Sequence, residues 1–145
     1  MNILENYQED FLLFLEAGFI AVNQLDEISA MALFKTAQML RPDNSLCKLG
    51  YGIINLHKLN LKEAISQFNK VLKEDPANDM AKAFLGIAYS LTFTNTEKSE
   101  EILRETQASS DPMIQNLSGT ALTFIENTIK KAPSPMEVMR QKKRG

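Results

Sequence analysis

Apolar residues recur along this chain at intervals of three and four, and no stretch shows the period of two that marks a half-buried strand. Phe11, Leu12, Leu15, Phe19 and Val22 mark one side of a helix over 6–23. Leu25-Asp26-Glu27 turns the chain into a second helix over 27–40. Pro42 stops it, because proline has no N–H to donate and disfavours helix in the residue before it. The pattern then repeats, with helices over 44–57 and 61–74, a turn at Leu59-Asn60 and a stop at Asp75-Pro76. A third round predicts helices over 78–91 and 97–107, separated by the polar run Thr92-Phe93-Thr94-Asn95-Thr96. At Ser109-Ser110-Asp111-Pro112, Asp111 suits an N-cap and Pro112 a first helical position, which starts a last helix over 112–131. Ala132-Pro133-Ser134-Pro135 breaks helix again, and the remainder reads as a flexible tail over 132–145.

The rounds are in register. Gly18, Gly52 and Gly86 stand 34 residues apart, and Ala30 and Ala64, Phe34 and Phe68, Pro42 and Pro76 keep the same step. A fixed period of this length predicts stacked helix pairs, whose concave side serves for binding. The expected units are 11–44, 45–78 and 79–111, with 112–131 as a capping helix, all in one domain over 1–131. The third unit departs from the period: Pro112 follows Pro76 by 36 residues, and its second helix is short and polar.

Composition narrows the function classes. The net charge is −2, which gives no global case for nucleic acid. It is divided, however: residues 130–145 sum to +5 and the remaining 129 to −7. Cys47 is the single cysteine, so no internal disulfide can form and a reducing compartment is expected. The start lacks a basic segment and a cleavage site, and the longest apolar stretch, Phe11 to Val22, is interrupted by Glu16 and too short for a bilayer. A cytoplasmic protein with no membrane segment is expected.

Chemistry-bearing residues are sparse. His57 and Cys47 lie ten residues apart on one expected helix, about 15 Å along its axis. Neither a zinc site nor a Cys-His nucleophile pair follows, so no enzyme, metal or cofactor is expected. Glu97, Glu100, Glu101 and Glu105 read as a solvated face. Gly50-Tyr51-Gly52 lies within a helix and reads as packing, not as a phosphate loop. Arg140-Gln141-Lys142-Lys143-Arg144 reads as a soluble end.

The pattern resembles tetratricopeptide repeats. Counting each repeat from Phe11, the family favours small residues at positions 8, 20 and 27, an aromatic at 24 and proline at 32. The first repeat places Gly18, Ala30, Phe34, Ala37 and Pro42 there; the second places Gly52, Ala64, Phe68, Val71 and Pro76. The third gives Leu85, Gly86 and Tyr89, and then the match fades. Asn55, where a large apolar residue is usual, and Leu59, where glycine is common, depart from the family. The implied fold is an all-α, right-handed α-solenoid of about three tetratricopeptide-like helix pairs plus a C-terminal capping helix.

More narrowly, residues 11–125 resemble the small chaperones of bacterial type III secretion. The segments Gly18 to Ala21, Leu40-Arg41-Pro42, Glu74-Asp75-Pro76 and Ala81 to Ala88 look most like the branch that holds the needle-filament subunit. That resemblance implies a concave groove formed by positions 2, 5, 9, 12 and 13 of each first helix. These are Leu12, Leu15, Phe19, Val22 and Asn23, then Leu46, Leu49, Ile53, Leu56 and His57, then Met80, Ala83, Ile87, Ser90 and Leu91. Twelve of the fifteen are apolar and none is Lys or Arg. Such a lining suits an apolar helix face or a hydrophobic extended peptide and cannot pair a buried carboxylate. The implied partners are the needle-filament subunit, held monomeric until export, and a small co-chaperone that contacts the first repeat, through residues 1–30. Self-association is a further expectation of so apolar a groove. Two other readings stay open: a translocator chaperone of the same system, and a generic repeat scaffold unconnected with export.

Overall fold

The computed structural model describes residues 9–131 and 135–145. These residues form eight α-helices, and no strand occurs among them. They are α1 (Phe11–Asn23), α2 (Glu27–Leu40), α3 (Leu46–His57), α4 (Leu61–Glu74), α5 (Asp79–Leu91), α6 (Thr96–Gln107), α7 (Pro112–Phe124) and α8 (Pro135–Arg144). As far as α7, each helix packs against the next; in addition α1 touches α3, α3 touches α5 and α5 touches α7. The first helix begins at Phe11 and not at residue 6, after a 3₁₀ turn at residues 9–10; residues 6–8 lie outside the described part.

Short polar side chains set the helix starts. Asp26 Oδ1 accepts the Ser29 N–H at 3.1 Å, Asn78 Oδ1 the Ala81 N–H at 2.9 Å, and Asp111 Oδ1 the Met113 N–H at 2.9 Å. Each bond satisfies an amide that has no partner within its helix. Hydrogen bonds from the Ser29 side chain and amide hold the Asp26 carboxyl below its ordinary pKa. The ends of α1 and α3 share one closure: the Asp26 N–H donates to Ala21 O and the Asn60 N–H to Asn55 O, both at 2.9 Å. This closure requires left-handed backbone at Leu25 and Leu59, a conformation costing about 1–2 kcal/mol for a residue with a Cβ. Asn55, the departure from the apolar pattern, serves that turn. Its Nδ2 donates to Tyr51 O at 2.9 Å, and its Oδ1 accepts from Asn60 Nδ2 at 3.2 Å.

Aromatic rings seated on glycines hold the first two pairs together. Phe34, fully buried on α2, lies between Gly18 of α1 and Gly50 of α3. A Cβ at Gly18 would stand 2.6 Å from the ring, and one at Gly50 2.4 Å. Phe19 and Tyr51 meet the same ring edge-on, with centroids 5.1 and 5.9 Å away. One pair later, Phe68 sits on Gly52, where a Cβ would come within 2.4 Å, and stacks on Phe84 at 5.9 Å. Glycine at these positions is therefore a matter of ring clearance. Gly50 contributes to it although it lies off the 34-residue step. Burial of each ring contributes about 1.5–3 kcal/mol.

The third pair keeps these slots, which the sequence pattern obscures. Ala30 and Ala64 are followed by Ser99, Phe34 and Phe68 by Leu103, and Ala37 and Val71 by Thr106; all nine are fully buried. The third set comes 35 residues after the second because the Thr92–Asn95 turn holds one extra residue. Its contents are more polar. The Ser99 hydroxyl donates to Gly86 O at 2.7 Å, and Thr106 and Ser118 join α6 to α7 through a buried hydroxyl pair at 2.7 Å.

Two expectations for the C-terminal region are corrected. The helix expected over 112–131 is α-helical only to Phe124 and then π-helical over Ile125–Ile129. That wider turn leaves Ile125 buried and Lys130 Nζ 2.7 Å from both Glu100 Oε1 and Glu126 Oε1. Within the expected flexible tail over 132–145, residues 135–144 are helical; 132–134 lie outside the described part. Pro135 is suited to a first turn, and Lys142, Lys143 and Arg144 in the last turn favour the helix dipole. All of α8 is exposed.

Candidate functional site

The face built by α1, α3 and α5 carries every residue expected to line a groove, and the structure divides them by position. Positions 5 and 12 turn inward in each unit: Leu15, Leu49 and Ala83, and Val22, Leu56 and Ser90, are all buried. Positions 2 and 9 stay at the surface. Leu12 is 54% exposed, and Phe19, Leu46, Met80 and Ile87 are half-buried. Ile53, at position 9 of the second unit, is the exception and is buried. At position 13, Asn23 and His57 are exposed and Leu91 is half-buried.

Of the twelve apolar side chains at the expected groove positions, six are therefore buried. Leu15, Val22, Leu49, Ile53, Leu56 and Ala83 are closed into the core. What remains is a narrower strip of Leu12, Phe19, Leu46, Met80, Ile87 and Leu91 across three helices. Positions 2 and 9 differ by seven residues, close to two helical turns, so they share one side of each helix. No Lys or Arg belongs to the strip.

The two residues with catalytic potential are not brought together. Cys47 is buried near the start of α3, and burial pushes its thiol pKa up, away from a reactive thiolate. His57 is exposed at the other end of the same helix. There it lines a recess of about 180 Å³ together with Val22, Leu25, Glu27, Ile54 and Lys58. Among the described residues, no group of three or more His, Cys, Asp and Glu side chains could hold a metal ion. No helix among them is long and apolar enough to cross a membrane.

Other exposed apolar residues escape a reading confined to the groove. Leu13 and Ile20 lie open on α1, seven residues apart, beside Leu12. Leu25, Leu59 and Phe93 occupy the three hairpin turns, again 34 residues apart. That spacing was readable in the chain. Their exposure was not, since a turn leucine can equally fold back on its own helices.

No protein-family model, curated protein or solved structure matches this chain.

Proposed function

We propose that the chain is a right-handed tetratricopeptide-type solenoid acting as a cytoplasmic chaperone of type III secretion. Its cargo is the needle-filament subunit, whose apolar assembly helix lies along the α1–α3–α5 face and is kept from polymerising before export. The observation that carries this reading is the strip Leu12, Phe19, Leu46, Met80, Ile87 and Leu91. It is apolar, free of cations and left at the surface by three parallel units of the same design. Such a strip accepts a helix face in a groove and offers nothing to a carboxylate. The exposed Leu12, Leu13 and Ile20 on α1 offer a second area, suited to a small co-chaperone on the first helix pair.

Co-expression with the needle subunit, followed by size-exclusion chromatography, tests the reading. The wild-type chain should co-elute with the subunit. Leu12→Glu should abolish that co-elution while the melting temperature stays near wild type, because Leu12 is already 54% exposed. A subunit that fails to co-elute with the wild-type chain, or that co-elutes equally with the variant, rejects it.

A further inference from the structure

The hairpin turns repeat a feature that folding alone disfavours. Leu25, Leu59 and Phe93 adopt left-handed backbone, with φ of 60°, 58° and 60°. Glycine is the usual residue where a helix ends this way, since a Cβ is crowded there. Large side chains at such positions would normally offset their strain by packing, yet these are 78%, 68% and 65% exposed. The helix closures, Asp26 N–H to Ala21 O and Asn60 N–H to Asn55 O, account for the backbone at the first two turns but not for the large apolar side chains left in water there. Ile28, 86% exposed, stands beside the first turn at the start of α2. Between the first and second turns lies the recess of about 180 Å³ lined by Leu25, Ile54, His57 and Lys58, roomy enough for an apolar side chain.

We propose that this edge pairs with a second copy of the chain, about a two-fold axis passing between the first and second turns. Charge selects the occupant and the register. The first turn, residues 24–28, carries Asp26 and Glu27 and no cation; the second, residues 58–62, carries Lys58 and Lys62 and no anion. A two-fold axis between them sets each turn against the partner's opposite charge, twice over. Glu27 and Lys58 already meet within one copy at 2.9 Å, which leaves Asp26 and Lys62 to match across the axis. Area sets the strength. Leu25, Ile28 and Leu59 offer roughly 400 Å² per copy, about half of what each side of a standard interface buries. The dimer is accordingly weak and transient. Phe93 lies beyond the paired turns. The pairing involves no cargo, so it stands or falls independently of the needle-subunit reading.

Sedimentation velocity on the full chain, from micromolar to millimolar concentration, tests this. The wild type should pass from one chain to two with rising concentration. Leu25→Gly with Leu59→Gly removes the contact and also relieves the backbone. It should weaken pairing at least tenfold with an equal or higher melting temperature. Lys62→Glu should weaken pairing too, and Phe93→Gly should leave it unchanged. A wild type that stays monomeric at millimolar concentration, as it would if the edge served a foreign helix, overturns the proposal. So does a dimer that survives Leu25→Gly with Leu59→Gly, or one that Phe93→Gly weakens equally. A lower melting temperature in the double glycine variant would show that the side chains hold the fold together, with the same consequence.

Discussion

The first two helix pairs and the third fill the same slots with different chemistry. In α1–α4 a benzyl ring rests on glycine, and the residues around it are hydrocarbon. In α5–α7 the ring gives way to Leu103, and Ser99, Thr106 and Ser118 are buried beside it with their hydroxyls paired. Both solutions leave the slots fully buried. They differ in tolerance: the Phe34 ring is wedged between two glycines, Gly18 and Gly50, whereas Leu103 lies on a single one, Gly86, where a Cβ would stand 2.8 Å from its Cγ. The amino-terminal half is therefore built as a fixed frame, and the third pair as its more adjustable end. Ionic ties reinforce that end: Glu100 meets both Arg104, at 3.3 Å, and Lys130, at 2.7 Å, and Lys82 meets Glu105 at 2.7 Å. These groups are partly or largely exposed, so each tie adds little to stability.

Truncating the large side chains is the strongest way to break the comparison. Phe34→Ala should cost about 3–5 kcal/mol in a urea titration, because three helices lose a shared ring. Leu103→Ala should fall at the lower end of the about 2–5 kcal/mol range for leucine, since the site can relax. Equal losses would mean that the two halves are equally rigid. A sharper probe is Gly50→Ala. In an open helix this change stabilises by about 0.5–1 kcal/mol. Here the new Cβ would stand 2.4 Å from a ring that Gly18 blocks on its other side. Overpacking should reverse the sign, for a net loss of about 1–3 kcal/mol. Phe34→Leu in the same chain should recover part of it, and a double-mutant cycle without that coupling would show that the ring does not set the glycine requirement.

These contrasts also explain what was legible in the chain. Helix starts at Glu27, Leu61 and Pro112 could be read, because a turn or a proline precedes each and the apolar spacing resumes at once. Gly18, Ala30 and Phe34 were legible as a packing set because small and aromatic residues are scarce enough for their recurrence to stand out. The third pair hid its register behind one extra residue at Thr92–Asn95 and behind serine and threonine, which equally mark exposed turns. The groove was half-legible. The resemblance to the repeat family gave the face, at positions 2, 5, 9, 12 and 13. It could not separate Leu15 and Val22, which are buried, from Leu12, which is exposed, or from Phe19, which is half-buried against Phe34, because that division depends on how closely the neighbouring helices approach. The helical residues 135–144 were missed, since prolines on their amino-terminal side and a run of charges conceal a short helix that the dipole favours.

The hydroxyl pair offers an intermediate test of the third pair. Ser118→Ala removes one partner of Thr106, yet the Thr106 hydroxyl also lies 3.2 Å from Ile102 O and Leu103 O. Those carbonyls can take over its proton, so the loss should be only about 0.5–1.5 kcal/mol by thermal denaturation. Ser118→Val, which forces a branched group against α6, should cost more. If Ser118→Ala proved as costly as Leu103→Ala, the polar contacts and not the leucine would hold the third pair.

The smallest expected effect has the opposite sign and separates the halves most cleanly. Gly119 on α7 is the one glycine of the folded helices whose added Cβ would meet only the end of a flexible side chain, Gln107 Nε2 at 3.3 Å. No ring rests on it, and Gln107 is exposed and can swing away. The entropy that glycine loses on folding then decides the sign, so Gly119→Ala should stabilise by about 0.5–1 kcal/mol, read as a rise in urea midpoint at constant slope. The same substitution at Gly18 or Gly52 meets an aromatic ring at 2.6 or 2.4 Å and should destabilise. One chemical change would thus stabilise α7 and damage the first two pairs; at Gly86, where a Cβ would stand 2.8 Å from Leu103 Cγ, it would damage the third pair too. Loss of stability at Gly119 as well would place the rigidity of the amino-terminal pairs in α7 too, and the division of the molecule into frame and adjustable end would not stand.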